Sequence, residues 1–515
     1  MTALACGLLL GLPTACTMGE PAPTRLSVLA SSDLADMEPL LAELRRDTGI
    51  ELMMDYRGTV QANGSLNPGH YRHDLAWLSS DRYFRLTMKE SRFSGEAPLR
   101  TGIMLSPVVI GLRPGTAERL RRTSGNAELS WADIADGAAQ GMVRFGMADP
   151  RTTDSGLAAL VGVATAAADT GGALRPEDVT CDRLRGFFAG QTLTAQSSRD
   201  MTEEFVAGQD RAEGLITYES VLLSLNASGR LREPLEVVHP KDGMVISDYP
   251  MLLLDPGVRA AYDKVVAWLT SDSVQKKITE RTLRRPLAPD TARDPRLNAP
   301  VGNALYFPDQ KDVVDTLVRN YDDPKTRAAD RILFLLDFSG SMRGARMAAL
   351  TSTFDGLGGA DDSTVGRFVR FHRGEDVTVI RFGGQILEEK TFTVGSAGSM
   401  DDLRDFIATG GFDDKTAIWS AAYHASRRAG ELLADNPRRR VSIVLMTDGR
   451  NNAGITAEDF LRRRRPRSAP VSTIRFGEAD AAELSRVAAA TGGRMVDAGS
   501  KPSLLDAFKE IRGCR

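Results

Sequence analysis

Two acids and three hydroxyls stand at the ends of apolar segments in three separate parts of the chain. ILFLLDFSGSM runs into Asp337 and then places Ser339 and Ser341 at alternate positions. VSIVLMTDG has the same form and ends near Asp448, while Thr416 lies between the two in GGFDDKTAIWSAAYHAS. All five side chains offer oxygen, which hard divalent cations such as Mg²⁺ prefer. These residues predict a magnesium site and disfavour zinc, because no thiolate or imidazole accompanies them.

The elements around these residues predict how they meet. Each acid ends an apolar run typical of a buried strand, and helical patterns alternate with these strands. This alternation predicts an α/β layer architecture, in which ligands bind beyond the carboxyl ends of the strands. The alternative is that Asp337 and the two serines only cap a helix, but capping would leave Thr416 and Asp448 without a role.

The five residues resemble the metal-ion-dependent adhesion site of the von Willebrand factor type A (VWA) domain. That site combines D-x-S-x-S with a distant threonine and a distant aspartate, in the chain order found here. The resemblance implies a doubly wound, Rossmann-like domain whose three hydroxyls bind Mg²⁺ directly and whose two carboxylates bind it directly or through water. It also implies an open coordination position for a carboxylate from a protein partner. Mn²⁺ and Ca²⁺ are the alternative ions.

Catalysis is disfavoured by what accompanies the serines. His372 and His424 are isolated in the sequence, and His424 falls on a predicted helix, so no general base is tied to Ser339. The sequence has no GxxxxGK[ST] loop, which disfavours an ATPase. We therefore predict a binding protein rather than an enzyme.

Hydroxyl and acidic side chains also recur where predicted strands end in the first half of the chain. Helix N-termini that carry such groups bind anions or small polar molecules. Ordinary helix capping is the alternative for each residue taken alone. The candidate ligand-binding residues are Ser31, Ser32, Thr59, Ser79, Ser80, Asp149, Thr153, Ser155 and Tyr218.

Several segments of this half carry a second resemblance. They are SVLASSDLADMEPLLAELRRDTGIEL, DLAWLSSD and GIMLSPVVIGL, of which the last is similar to a strand that crosses between two lobes. Their order resembles the extracellular solute-binding proteins of ABC transporters, particularly the molybdate-type, two-lobed group. The resemblance implies a type II periplasmic-binding-protein-like module with lobe one at 25–105 plus 243–285 and lobe two at 106–242. A small polar or anionic solute would bind between the lobes and favour hinge closure.

The first residues predict export. ALACGLLLGLPTAC is apolar but too short to span a bilayer, and the polar TMGEPAPT follows it. The ending LPTAC resembles a bacterial lipoprotein signal with Cys16 as the acylated residue. We expect a protein anchored by lipid at the extracytoplasmic face of the cell membrane; a plain signal peptide or a cytosolic start are the alternatives. No later segment is apolar enough to cross a membrane.

Length and composition set the remaining limits. The 515 residues are too many for one core, and we predict a signal and tether at 1–24, a solute-binding-like domain at 25–285, a linker at 286–324 and a VWA domain at 325–515. A net charge of −3 gives no argument for nucleic acid. Four cysteines are too few for a disulfide framework, and Cys181 and Cys514 either pair or stay free thiols.

The sequence thus predicts a cell-envelope binding protein that uses a Mg²⁺-dependent VWA site to hold a protein partner. The alternative is a substrate-binding lipoprotein of an ABC-type transport system with an accessory VWA domain. The two hypotheses differ in which half of the chain carries the main function.

Overall fold

The computed structural model describes residues 23–91, 93–179, 184–287, 294–323, 330–437, 439–465, 468–500 and 503–513. Within these ranges the strands form three sheets, and the predicted α/β architecture is confirmed. None of the helices in these ranges has the length and apolar character needed to cross a bilayer. The predicted signal with Cys16, and the pair Cys181 and Cys514, lie outside the described residues.

The first half of the chain alternates strands and helices. In chain order its elements are β1 (Thr24–Ser31), α1 (Glu38–Thr48), β2 (Ile50–Arg57), α2 (Thr59–Ser65), β3 (Leu75–Trp77), α3 (Arg82–Glu90), β4 (Leu99–Gly102), β5 (Met104–Leu112), α4 (Pro114–Ser124), α5 (Trp131–Ala139), β6 (Phe145–Met147), α6 (Asp154–Ala168), α7 (Pro176–Val179), α8 (Arg185–Ala189), β7 (Gln191–Leu193), α9 (Ser198–Ala207), β8 (Gly214–Tyr218), α10 (Glu219–Ala227), β9 (Glu236–Val238), β10 (Ile246–Ser247), β11 (Pro250–Leu253), α11 (Arg259–Leu269), α12 (Asp272–Thr282) and β12 (Arg285–Pro286).

These strands build two sheets. The first has the order β2-β1-β3-β11-β4, with β1, β2 and β3 parallel. The second has the order β10-β5-β8-β6-β7, and β9 and β12 also pair with β5. The chain passes from the first sheet to the second between Gly102 and Met104, inside the segment that the sequence predicts to cross between lobes. We call the parts around the first and second sheets the first and second lobes.

The second half adds one further sheet. Its elements are α13 (Lys311–Asp322), β13 (Arg331–Asp337), α14 (Ala345–Asp355), α15 (Thr364–Val369), β14 (Asp376–Phe382), β15 (Ile386–Thr393), α16 (Ser399–Ala408), α17 (Ile418–Asp435), β16 (Val441–Thr447), α18 (Ala457–Arg463), β17 (Val471–Arg475), α19 (Ala481–Thr491), β18 (Met495–Asp497) and α20 (Leu504–Gly513). The strand order is β15-β14-β13-β16-β17-β18, and only β15 runs antiparallel to its neighbour. The order reverses between β13 and β16, which is where a doubly wound sheet opens its binding crevice.

The apolar run of β13 reflects burial on both faces of this sheet. Phe334 packs against Phe354 of α14 on one face, whereas Leu335 shares a buried cluster with Trp419 of α17 on the other. A strand covered on both faces needs a nearly continuous apolar sequence rather than an alternating one. This packing explains why ILFLL precedes the first polar residue, Asp337.

The two halves are joined by packed side chains. Phe368 of α15 belongs to the same buried apolar cluster as Trp131 of α5 in the second lobe. Beside it, the buried Arg367 pairs with Asp133, and Arg370 Nε lies 2.9 Å from Asp136 Oδ1. The join therefore combines an apolar core with two ion pairs.

The predicted linker contains α13, and this helix touches both lobes. Tyr83 Oη of α3, in the first lobe, donates to Asp315 Oδ1 at 3.0 Å. At the other end of α13, the ring of Tyr321 lies edge-on to Phe188 of the second lobe, with ring centres 5.5 Å apart. The apolar face of α13 is buried against the second lobe through Leu317 and its neighbours. The connection between the halves is therefore a bound helix.

Candidate functional site

The crevice at the carboxyl ends of β13 and β16 begins with Asp337. This residue ends β13 and is completely buried. The backbone N–H of Ser339 donates to its Oδ1 at 2.8 Å, and Thr447 Oγ1 donates to its Oδ2 at 2.5 Å. Burial raises the pKa of Asp337, while the hydrogen bonds from Thr447 and Ser339 oppose that rise. The carboxylate is thus fixed in place by both strands.

A chain of hydroxyls leads from Asp337 to the second acid. Ser339 Oγ lies 3.0 Å from Ser341 Oγ, which donates to Asp448 Oδ1 at 2.8 Å. Ser339 and Asp448 are buried, whereas Ser341 is exposed at the surface of the crevice. Four of the five residues that the sequence singles out therefore form one connected group that opens to solvent at Ser341.

Thr416 reaches the same crevice from the loop before α17. That loop is tied to β13 by two backbone hydrogen bonds, Gly340 N to Asp413 O at 2.9 Å and Asp413 N to Phe338 O at 3.0 Å. Thr416 itself is buried, and its Oγ1 would lie 3.7 Å from a methyl group built on Gly449, the residue after Asp448. The structure thus places Thr416 beside the residue that follows Asp448.

Arg346 is a charged neighbour that the sequence argument did not include. It lies on α14, five residues after Ser341, and its guanidinium donates to Asp448 Oδ2. The same group reaches the Ser341 carbonyl at 3.3 Å. A D-x-S-x-S pattern does not indicate this contact, although a basic residue at the start of the following helix is the available signal. Arg346 thus balances the negative charge of the buried Asp448 carboxylate.

The donor set of this crevice can be compared with metal chemistry. Two carboxylates and three hydroxyls are hard oxygen donors of the kind that Mg²⁺ accepts while it keeps some water. Elsewhere in the described ranges, no group of three or more His, Cys, Asp or Glu side chains is placed to hold a metal. The side chains therefore fit Mg²⁺, and their role as ligands stays a prediction.

The predicted ligand-binding residues of the first lobe form a closed hydroxyl cluster. Thr59 Oγ1 lies 2.7 Å from Ser31 Oγ and 2.5 Å from Ser79 Oγ, and all three residues are buried. Ser80 is also buried, and its Oγ accepts from the N–H of Arg82 at 3.3 Å. These hydroxyls hydrogen-bond to one another or to backbone. Ser32 is the exception, because it lines a cavity described below.

The predicted residues of the second lobe are likewise engaged with protein groups. Asp149 is bound by Arg151, Ser155 Oγ lies 2.8 Å from Ser198 Oγ, and Thr153 caps α6. Tyr218 Oη donates to Asp154 Oδ2 at 3.0 Å, and Ser247 Oγ donates to the same oxygen at 2.6 Å. Asp154 was not among the predicted residues, and burial raises its pKa.

The two lobes touch directly at the start of α2. The N–H of Val60 donates to the carbonyl of Thr152 at 3.1 Å, which bridges the first and second lobes. The lobes also flank a cavity of about 410 Å³, which lies between the turn after β1 and helices α9 and α10. Its walls include Ser32, Asp36 and Arg230. The lobes therefore leave between them a cavity with both polar and apolar walls, and Ser32 in its wall follows Ser31 of the hydroxyl cluster.

Gly58→Ala is expected to disturb this closure. A methyl group on Gly58 would lie 2.5 Å from the Thr152 carbonyl oxygen, so the backbones of the two lobes must separate. We expect a stability loss of about 1–3 kcal/mol and faster hydrogen exchange at the Val60 amide. Gly64→Ala is the matched control, since a methyl group there meets no atom within 4 Å. Equal exchange in the two variants would show that the contact does not hold the lobes.

The described ranges combine a two-lobed α/β module with a doubly wound domain that carries an oxygen-lined crevice. Residues 26–281 match the family model of the bacterial extracellular solute-binding protein, and residues 332–510 match that of the von Willebrand factor type A domain. The chain is therefore a solute-binding module fused to a VWA domain.

Solved periplasmic binding proteins are similar in fold to part of the chain. A thiamin binding protein is 12% identical, with 60% of this chain and 98% of that chain covered and a TM-score of 0.46. HitA from Pseudomonas aeruginosa is 15% identical, with 58% and 100% covered and a TM-score of 0.44. AfuA from Actinobacillus pleuropneumoniae is 14% identical, with 58% and 98% covered and a TM-score of 0.43. A comparison with curated proteins gives no match.

Proposed function

We propose that this protein is an exported cell-envelope protein whose VWA domain holds Mg²⁺ and, through it, a carboxylate of a protein partner. The observation that carries the proposal is the bond from the exposed Ser341 Oγ to Asp448 Oδ1 at 2.8 Å, which joins two distant loops at one solvent-facing point. Ser339, Ser341 and Thr416 would bind the ion directly, and Asp337 and Asp448 would bind it directly or through water. Mg²⁺ would supply an electrophilic position for the partner's carboxylate.

The remaining side chains of the crevice favour binding over catalysis. Thr447 and the N–H of Ser339 orient Asp337, and Asn452 Oδ1 accepts from the N–H of Thr416 at 2.8 Å. The oxygen atoms are thus held by neighbouring groups. The hydrogen bonds of Ser339 Oγ and Ser341 Oγ in the described structure involve no histidine, so neither serine has the base that a nucleophile needs.

We also propose that the protein is exported and anchored by a lipid on Cys16. The apolar ALACGLLLGLPTAC segment and the match to an extracellular solute-binding family support this location. Labelling with a radioactive fatty acid tests the anchor. We expect incorporation into the wild type and its loss in Cys16→Ala, whereas equal incorporation would contradict the proposal.

Capture of a partner from envelope extract tests the main proposal. We expect the full chain to retain a partner in Mg²⁺ and to release it in EDTA, and we expect Ser341→Ala to capture none. Thr351→Ala, a change to a half-buried hydroxyl on α14 that bonds only the Met347 carbonyl at 3.1 Å, is the matched control and should capture normally. Undiminished capture in EDTA would refute the metal-dependent mechanism.

Arg346→Gln is expected to raise the affinity for Mg²⁺. The guanidinium pairs with the Asp448 carboxylate and would repel a divalent cation bound beside it. Its removal should therefore lower the Kd for Mg²⁺ by about tenfold, or about 1.4 kcal/mol. Titration calorimetry of the full chain with MgCl₂ measures the change. Arg343→Gln is the control, because Arg343 stacks on the Phe412 ring instead. Weaker Mg²⁺ binding in Arg346→Gln would mean that Arg346 supports the site.

A transport receptor is the second candidate function. It is favoured by the cavity between the lobes, which Asp33, Ser32 and Arg230 line and where burial raises the pKa of Asp33 to about 6. Thermal-shift screening with small anions, sugars and amino acids tests it. Stabilisation by one compound that is lost in Ser32→Ala would support a receptor, whereas the absence of any stabilising compound would leave the module as a scaffold for the VWA domain.

A further inference from the structure

A second, smaller cavity lies on the first lobe and is walled by basic side chains. It has a volume of about 220 Å³ and lies between the end of β2 and the loop that joins α2 to β3. Arg57 comes from β2, and His70, Arg72 and His73 come from the loop. Polar groups of the chain after α2 and apolar side chains complete the wall. Neither half of the proposed function uses this cavity.

The positive charge of this cavity is only partly balanced. Asp55 accepts from Arg57 Nη2 at 2.9 Å and lies 3.2 Å from His73 Nε2. The side chains of Arg72 and His70 have no hydrogen bond or ion pair to the rest of the described chain. Among the described residues, no Asp or Glu lines the cavity. Two donor groups therefore remain available beside one arginine that is already oriented.

The cavity is separate from the space between the lobes. Thr59, at the start of α2, belongs to the hydroxyl cluster, whereas Ser65, at the end of α2, lines the basic cavity. The seven residues of α2 hold these two points about 10 Å apart. A ligand in the basic cavity would therefore occupy a different place from one in the cavity between the lobes.

We propose that this basic cavity binds a phosphate-type anion, either free or as the phosphate group of a small molecule. Arginine presents a planar fork of N–H donors that matches phosphate oxygens in pairs, and imidazole N–H groups can complete the set. Since a water molecule takes about 30 Å³ of liquid, the cavity has room for about seven waters, which is enough for one phosphate group with some hydration.

Titration calorimetry of the full chain with inorganic phosphate and with glycerol 3-phosphate, at constant ionic strength, tests this proposal. We expect saturable binding of one of the two probes by the wild type and a loss of affinity of about tenfold or more in Arg72→Gln and in His70→Gln. The preferred probe distinguishes the free anion from a phosphomonoester. Arg122→Gln, a change to an exposed arginine paired with Glu118 on α4, should bind like the wild type.

Histidine NMR supplies a readout that locates the anion. The chain has five histidines, and His70 and His73 line the cavity. We expect phosphate to shift the imidazole signals of these two and to leave that of His424, on α17, unchanged. Binding that moves neither signal, equal affinity in Arg72→Gln and the wild type, or no binding below about 10 mM would overturn the proposal.

Discussion

Asp337→Asn is expected to abolish Mg²⁺ binding while the VWA domain stays folded. The substitution removes one of the two carboxylates that face the crevice but keeps the shape of the side chain. Loss of a full negative charge next to a divalent ion should lower affinity by about 100-fold or more, which is about 2.7 kcal/mol. Thr447 can still donate to the amide oxygen, so we expect a stability loss of only about 1–3 kcal/mol.

The measurement is titration of Mg²⁺ by calorimetry, together with the thermal shift that Mg²⁺ produces. Asp376→Asn is the matched control, because Asp376 begins β14 at the opposite edge of the same sheet and pairs with Arg439 at 3.0 Å. It should lose some stability and keep its Mg²⁺ affinity. A wild-type affinity in Asp337→Asn would remove the crevice from consideration as the metal site.

Of the substitutions expected to destabilise the protein, Arg367→Ala should cause the largest loss of folding stability. Arg367 lies buried between the second lobe and the VWA domain, where it pairs with the completely buried Asp133 carboxylate. Removal of one partner from a buried ion pair leaves an uncompensated charge and costs about 3–5 kcal/mol. Burial lowers the pKa of Arg367, because a cation held away from water is less stable than one in water.

Urea denaturation followed by tryptophan fluorescence measures this effect. We expect the wild type to unfold in one main transition and Arg367→Ala to separate into two, because the join between the halves is weakened first. Arg122→Ala breaks the exposed pair with Glu118 and should cost only about 0.3–0.5 kcal/mol. An equally small loss in Arg367→Ala would show that the apolar contacts alone hold the halves together.

A double substitution separates the charge from the packing at this join. Arg367→Met combined with Asp133→Leu removes both charges and keeps apolar volume, so it should recover most of the stability lost in Arg367→Ala. Failure to recover would mean that other groups depend on the pair. Ser130 is the first such group to examine, because its N–H and its Oγ donate to Asp133 Oδ2 at 2.8 and 2.6 Å in the capping box of α5.

The sequence was most informative where a local pattern controls the structure. The apolar run before Asp337 indicates a strand covered on both faces, and the serines that follow it must lie at the end of that strand. Because β13 and β16 are neighbours in a parallel sheet, their carboxyl ends lie side by side and bring Asp337 and Asp448 together. For this reason the sequence could predict that these two acids lie at one crevice.

The sequence was least informative where contacts depend on distant surfaces. Arg346 looks like an ordinary helical arginine until α14 folds over Asp448. The serines and threonines of the first half look like free ligand-binding groups, but packing within the first lobe brings Ser31, Thr59 and Ser79 into hydrogen-bond contact with one another. A residue's type predicts which bonds it can make, whereas the partner is decided by packing.

The position of α13 has a mechanical consequence. This helix contacts Tyr83 of the first lobe and Phe188 of the second, and in the sequence it precedes the domain that begins with β13. If the lobes swing apart, one of these two contacts must break, and the helix must move with the other lobe. A spectroscopic label on α13 would therefore report the opening of the lobes when a ligand is added.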